Sequence, residues 1–228
     1  MNDIAPTIDT NPNEGKLRRV LARSTVVAFA LLLGACASGT VRVKDTSRTF
    51  TTVVIDAGHG GSATGTSSRW AGTEKAATLN VARKLEPKLR AAGFKTVMTR
   101  TQDVDVSLEQ RARISNRQDN AVFVSIHFNE APRHIEGTET FYKSRPSIGL
   151  AAKIQREVAA LPGHSSRGVK TANFRVLRLN EYPAVLVECG FLSNPREGKR
   201  CCRPDHQDAI AAAIARGIVA QRGGPLTR

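Results

Sequence analysis

Thr51-Thr52-Val53-Val54-Ile55-Asp56-Ala57-Gly58-His59-Gly60-Gly61 is the stretch that decides the reading of this chain. Five β-branched residues in a row favour a strand, because their stiff side chains pack well on a pleated surface. The run ends in a polar, glycine-bracketed histidine. Glycine permits unusual backbone angles and close approach, so the imidazole can be presented at the floor of a cleft. Downstream, Leu79, Ala82, Leu85 and Leu89 recur at helical spacing and predict a helix over 74–92, closed by Gly93, with Pro87 as a possible kink. Further strands are expected at 94–99, 121–126, 138–142, 174–179 and 184–187, and helices at 108–118, 148–161 and 205–221. Strands alternating with helices predict an α/β fold, a single domain with a mostly parallel sheet flanked by helices.

In open α/β sheets functional groups gather at the carboxyl ends of strands. Two further strand runs end in such a group. Val124-Ser125-Ile126 leads to His127, and Val185-Leu186-Val187 leads to Glu188. A carboxylate after three apolar residues is expected to be paired, hydrogen-bonded or working. Two histidines and a carboxylate, with one position left open for water, make a catalytic zinc site. Glu74, at the first turn of the helix after the glycine-rich loop, is the candidate third ligand. An acid there also simply complements the helix dipole. His59 as a turn residue and His127 as a core histidine are the plainer alternatives.

The quoted run lies well inside the chain, and what precedes it differs in character. Lys16, Arg18, Arg19 and Arg23 lead into the apolar stretch 26–33, followed by Gly34-Ala35-Cys36. A basic segment, a short apolar run and small residues predict an export signal over 1–35. Leu33-Gly34-Ala35-Cys36 resembles the lipobox of bacterial lipoproteins, which makes Cys36 the expected lipidation site and membrane anchor. Residues 36–49 are small, polar and basic, and read as a flexible tether. The catalytic domain is expected over 50–222 and a short tail over 223–228.

The 228 residues carry 34 Lys plus Arg against 20 Asp plus Glu, a formal charge of +14. Cleavage before Cys36 leaves 30 basic and 17 acidic residues, so the excess belongs to the exported part. Export turns that charge away from nucleic acid and toward acidic envelope polymers or lipid head groups. Apolar residues make up 40% of the chain, which is enough for a packed core and excludes wholesale disorder.

VVIDAGHGG, GTEKAATLNVARKL, TRTQDVDVSLEQRARISNRQDNAVFVSIHFN and RGVKTANFRVLRLNEYPAVLVECGFLSNP together resemble the amidase-3 family, in order, over most of 52–220. Its members are zinc-dependent N-acetylmuramoyl-L-alanine amidases. The resemblance implies a twisted six-stranded sheet and a Zn2+ held by His59, Glu74 and His127. It also implies Glu188 as general base and peptidoglycan as the partner, while the lipobox-like Cys36 followed by Ala37 leads to an expected place in the periplasm at the outer membrane. Glu181 and Glu130 are rival bases, and His134, His164 and His206 are expected at the surface. A non-catalytic peptidoglycan-binding lipoprotein and a zinc hydrolase of another amide are the competing readings.

Three cysteines remain after Cys36. Cys189 is read as a buried thiol, with a bridge to Cys201 or Cys202 as the alternative. Arg111, Arg113 and Arg117 are expected on a solvated face. The loops are short, with ten residues between His127 and the strand at 138, and leave no stretch for an additional occluding helix.

Overall fold

The computed structural model describes residues 41–224. In chain order its elements are β1 (Thr52–Ala57), a small hairpin of β2 (Ser67–Ser68) and β3 (Gly72–Thr73), α1 (Glu74–Ala91), β4 (Lys95–Met98) and α2 (Leu108–Asn116). There follow β5 (Ala121–Asn129), β6 (Thr138–Tyr142), α3 (Ile148–Ala159), β7 (Ser166–Thr171), α4 (Arg175–Arg178), β8 (Ala184–Phe191), α5 (Pro195–Cys201) and α6 (Pro204–Arg222). Six strands form one sheet in the order β4-β1-β5-β8-β6-β7. All neighbours are parallel except β6 and β8, which run antiparallel.

The central strands β1, β5 and β8 are buried on both faces, which is why their sequences read as near-continuous apolar runs. One face packs on the long helices α1, α3 and α6 through Leu85, Leu89, Ile154, Ile210 and Ile214. Among the described residues the other face is covered by the short α2 and α4, around Val54, Phe123, Val176, Leu177 and Leu186. This thinner cover leaves the carboxyl ends of β1, β5 and β8 accessible from that side. Glu74 is the first residue of α1, and the helix runs through Pro87 close to its end, where only one ladder bond is at stake. Ser107 and Gln110 cap α2 reciprocally.

Two expectations are corrected here. Residues 174–179 are not a strand: Arg175–Arg178 form a helical turn, and Phe174 is its exposed N-cap. The sixth strand is instead β7, polar and largely exposed (SRGVKT), at the sheet edge where no apolar face is required. The tether reading of 36–49 also fails over its described end. The Lys44 N–H donates to Glu181 O at 2.7 Å, the Thr46 hydroxyl to Ala121 O at 2.5 Å, and Ser47 O accepts from Gln221 Nε2. These contacts fasten the chain to the domain before Phe50 enters the core. The expected signal and Cys36 lie outside the described residues.

Candidate metal centre

The loop after β1 carries His59 in a left-handed conformation (φ 59°), which a non-glycine residue holds only when its surroundings enforce it. Two buried arginines do so. Arg111 reaches from α2 to donate to Asp56 Oδ1 at 2.7 Å, Ala57 O at 2.6 Å and His59 O at 2.7 Å. Arg100 donates to Ala57 O, Gly58 O and Lys75 O, all at 2.8–2.9 Å. The Asp56 carboxylate also accepts from Thr99 and Ser125, both at 2.6 Å. Arg111 is thus a buried strut, not part of a solvated face, and that expectation is corrected: its partners are some 50 residues away in sequence and packing creates the need for it.

His59, Glu74 and His127 converge. Glu74 Oε1 lies 3.1 Å from His59 Nε2 and 2.9 Å from His127 Nδ1, and one potential ligand atom from each residue falls within 4.8 Å of the others. The same oxygen accepts from Phe128 N at 3.0 Å, and Oε2 accepts from Thr66 N at 2.9 Å. Burial pulls the Glu74 carboxyl up, but hydrogen bonds with His127 and His59 outweigh it and hold it well below the usual carboxylate range. Burial pulls His127 down, and Glu74 and Glu188 raise it on balance.

Two glycines make room for this cluster. A Cβ on Gly58 would stand 2.4 Å from the His127 ring, and one on Gly65 would stand 2.5 Å from Glu74 Oε2 and 2.8 Å from the His59 ring. A cleft of about 380 Å³ opens beside the imidazoles, lined by Gly60, Ala63, Val106, Leu108 and Val176.

Glu188 faces His127 across the β5–β8 pair, so the two side chains share a sheet face. Its Oε2 is buried without a hydrogen-bond partner. Burial pushes the carboxyl up to about 7, with Glu74 and Glu139 acting the same way and His127 opposing. The residues fit a zinc ion: two imidazoles and one carboxylate are its borderline donor set, and the hard-oxygen ions have no use for the imidazoles. Beside them lies the unpartnered Oε2 of Glu188, and burying a carboxylate oxygen without a partner is costly.

The rival bases lie elsewhere. Glu181 pairs with Lys44 at 3.3 Å, and Glu130 sits at the rim, where it accepts from Thr66 Oγ1 at 3.3 Å. His134 is exposed, as expected. His164 and His206 are half-buried and face each other, Nε2 to Nε2 at 2.9 Å, which corrects their reading as surface residues. Cys189, Cys201 and Cys202 are free thiols. Glu139 escaped the reading of the sequence. It is buried opposite Glu188 on β6, and in an edge-region strand its charge gave no signal distinct from a solvated one.

A family model described as N-acetylmuramoyl-L-alanine amidase matches residues 53–220. Uncharacterized protein YqiI of Bacillus subtilis is 33% identical over 205 residues, 88% of this chain and 97% of that one. The N-acetylmuramoyl-L-alanine amidase LytC of the same organism is 34% identical over 74% of this chain but only 35% of its own length. Among solved structures, the catalytic domain of CwlV, an N-acetylmuramoyl-L-alanine amidase from Bacillus (Paenibacillus) polymyxa var. colistinus, superposes with a TM-score of 0.72. That match has 36% identity and covers 75% of this chain and 97% of that one.

Proposed function

The chain belongs to the N-acetylmuramoyl-L-alanine amidase family, and from that premise we propose that it hydrolyses the amide between N-acetylmuramic acid and the L-alanine of a peptidoglycan stem peptide. The observation that carries this reading is the convergence of His59, Glu74 and His127 beside the unpartnered Oε2 of Glu188. Zinc held by the three residues would supply a water whose pKa is lowered toward about 7, and would polarise the carbonyl.

The chain's own groups do the rest. Thr66 N–H and Phe128 N–H fix the Glu74 carboxylate, while Gly58 and Gly65 let both imidazoles lie close to the backbone. Glu188 takes the proton of the attacking water on Oε2 and returns it to the departing alanine nitrogen as the carbon–nitrogen bond breaks. A carboxyl raised by burial suits both tasks near neutral pH. The residues between β5 and β6, 130–137, hold no helix, so the cleft beside the imidazoles is open to a polymer strand.

An envelope location is in keeping with a cell-wall substrate, and Leu33-Gly34-Ala35-Cys36 supports an anchor through an acylated Cys36. A non-catalytic peptidoglycan-binding lipoprotein accounts for the fold but leaves the Glu188 oxygen without a purpose. Digestion of purified sacculi tests the proposal. Mass analysis is expected to find peptides with a free amino-terminal alanine, and none after chelation. Release of peptides cut elsewhere in the stem, or of sugars alone, would contradict it.

A further inference from the structure

The sheet face that carries the metal centre continues past Glu188. His127, Glu188 and Glu139 are successive Cα partners across β5, β8 and β6, so their side chains form one row. Adjacent strands lie about 4.8 Å apart, which places Glu139 about 10 Å from His127. Both Glu139 oxygens are engaged. Oε1 accepts from Asn129 Nδ2 at 2.7 Å, and Oε2 accepts from Arg167 Nε at 3.3 Å and from Lys170 Nζ.

Arg167 belongs to the exposed edge strand, where an arginine ordinarily waves in solvent. Here three contacts hold it. Its Nε is bonded to the buried Glu139, and its guanidinium lies over the Phe191 ring, 5.3 Å from the centroid. Its stem lies against Gly137 (φ +115°), where an added Cβ would meet the Arg167 Cγ at 3.0 Å. Every contact leaves the two terminal nitrogens out: among the described residues neither Nη atom has a hydrogen-bond partner. A planar fork fixed at its stem, its face and its Nε, with its outer edge open, is preorganised for bidentate capture of a carboxylate.

We propose that Arg167, steadied by Glu139 and Phe191, is a specificity-determining residue that binds the free carboxylate of the second stem-peptide residue. The inference rests on the amidase reading above and names the substrate feature that the same site selects. An extended peptide advances about 3.5 Å per residue. A chain whose scissile amide lies at the imidazoles therefore brings the second residue's carboxylate to the Glu139–Arg167 end of the row. Lys170 shares Glu139 and adds charge there without the fork geometry.

The test is a binding measurement that does not depend on turnover. A Glu188→Gln protein, full chain and loaded with zinc, is titrated calorimetrically with two muramoyl tripeptides. They differ only in the second residue, free carboxylate in one and carboxamide in the other. The acid is expected to bind at least about ten-fold more tightly, the magnitude of one charge-assisted contact. Arg167→Ala, added to that protein, should abolish the preference, and Arg167→Lys should restore only part of it. A thermal melt of each variant checks that the exposed substitutions leave the fold intact. An equal preference for the acid in the Arg167→Ala protein would overturn the inference, as would the absence of any preference before that substitution. Failure of the amidase reading shows separately, as a Glu188-intact, zinc-loaded protein that cleaves neither peptide at the alanine.

Discussion

Replacing Gly58 with alanine would set a Cβ 2.4 Å from the His127 ring, so the imidazole must leave its place or the backbone must move. Disturbing what orients a ligand typically costs 10–100-fold in metal affinity. Gly58→Ala is therefore expected to weaken zinc binding at least about ten-fold, measured by competition with a chromophoric chelator. Unchanged affinity would show that the ring does not need the space. Glu188→Gln should behave in the opposite way. It is expected to keep the metal and to lose about 10²–10⁴ in kcat, the usual scale of general acid–base catalysis. Loss of metal in that variant would make Glu188 a ligand. His59, His127 and Glu188 were legible in the sequence because each follows an apolar strand run, His59 just past β1 and the other two near the carboxyl ends of β5 and β8, and a polar group there needs a reason. Arg111 and Glu139 were not legible. Each looks like a surface charge in its own segment, and only the long-range approach of Asp56, or of Glu188, Lys170 and Arg167, makes it a buried one.

The elements divide in the same way. β1, β5 and β8 are central, so burial on both faces wrote them into the sequence as apolar runs. β7 is an edge strand whose pairing with β6 is made by backbone groups, and its polar residues carry no periodic signal. The false strand at 174–179 arose because Val176 and Leu177 are buried by a single helical turn too short to display helical period. The junction between the loop after α3 and the start of α6 has a further consequence. His164 and His206 meet there at 2.9 Å, and burial, aided by the Arg200 charge, pushes them down to about 3 and about 4. Both folded values lie below the ordinary 6.5, so the unfolded chain takes up more protons as pH falls. Their contribution to stability is complete above about 6.5 and declines as pH drops toward 4 and 3. Urea midpoints of the zinc-loaded protein are expected to fall between pH 7 and 5, and less steeply in a His164→Gln variant. The same slope in both proteins would remove this pair as the cause.

At the scale of the molecule, the described part is one domain whose two helical layers are unequal, and the site lies on the thinly covered face. The six-stranded, mostly parallel sheet followed from alternating elements together with the family resemblance, while the fastening of residues 44–50 to the domain was hidden in a segment of tether-like composition. If the basic protein is held at a membrane by an acylated Cys36, Cys36→Ser should move it to the soluble fraction or leave it unprocessed. A wild-type protein found wholly soluble, with no acyl mass on its amino-terminal peptide, would exclude the anchor. The central claim is that one zinc, held by His59, Glu74 and His127, makes this chain an amidase. It is tested most directly by adding zinc stepwise to chelated protein and following cleavage of the muramoyl–alanine bond. Turnover is expected to start from a negligible rate, rise linearly and level off at one equivalent, and a His127→Ala protein should stay inactive throughout. Undiminished cleavage by the chelated protein, or full activity of His127→Ala with zinc, would contradict the account.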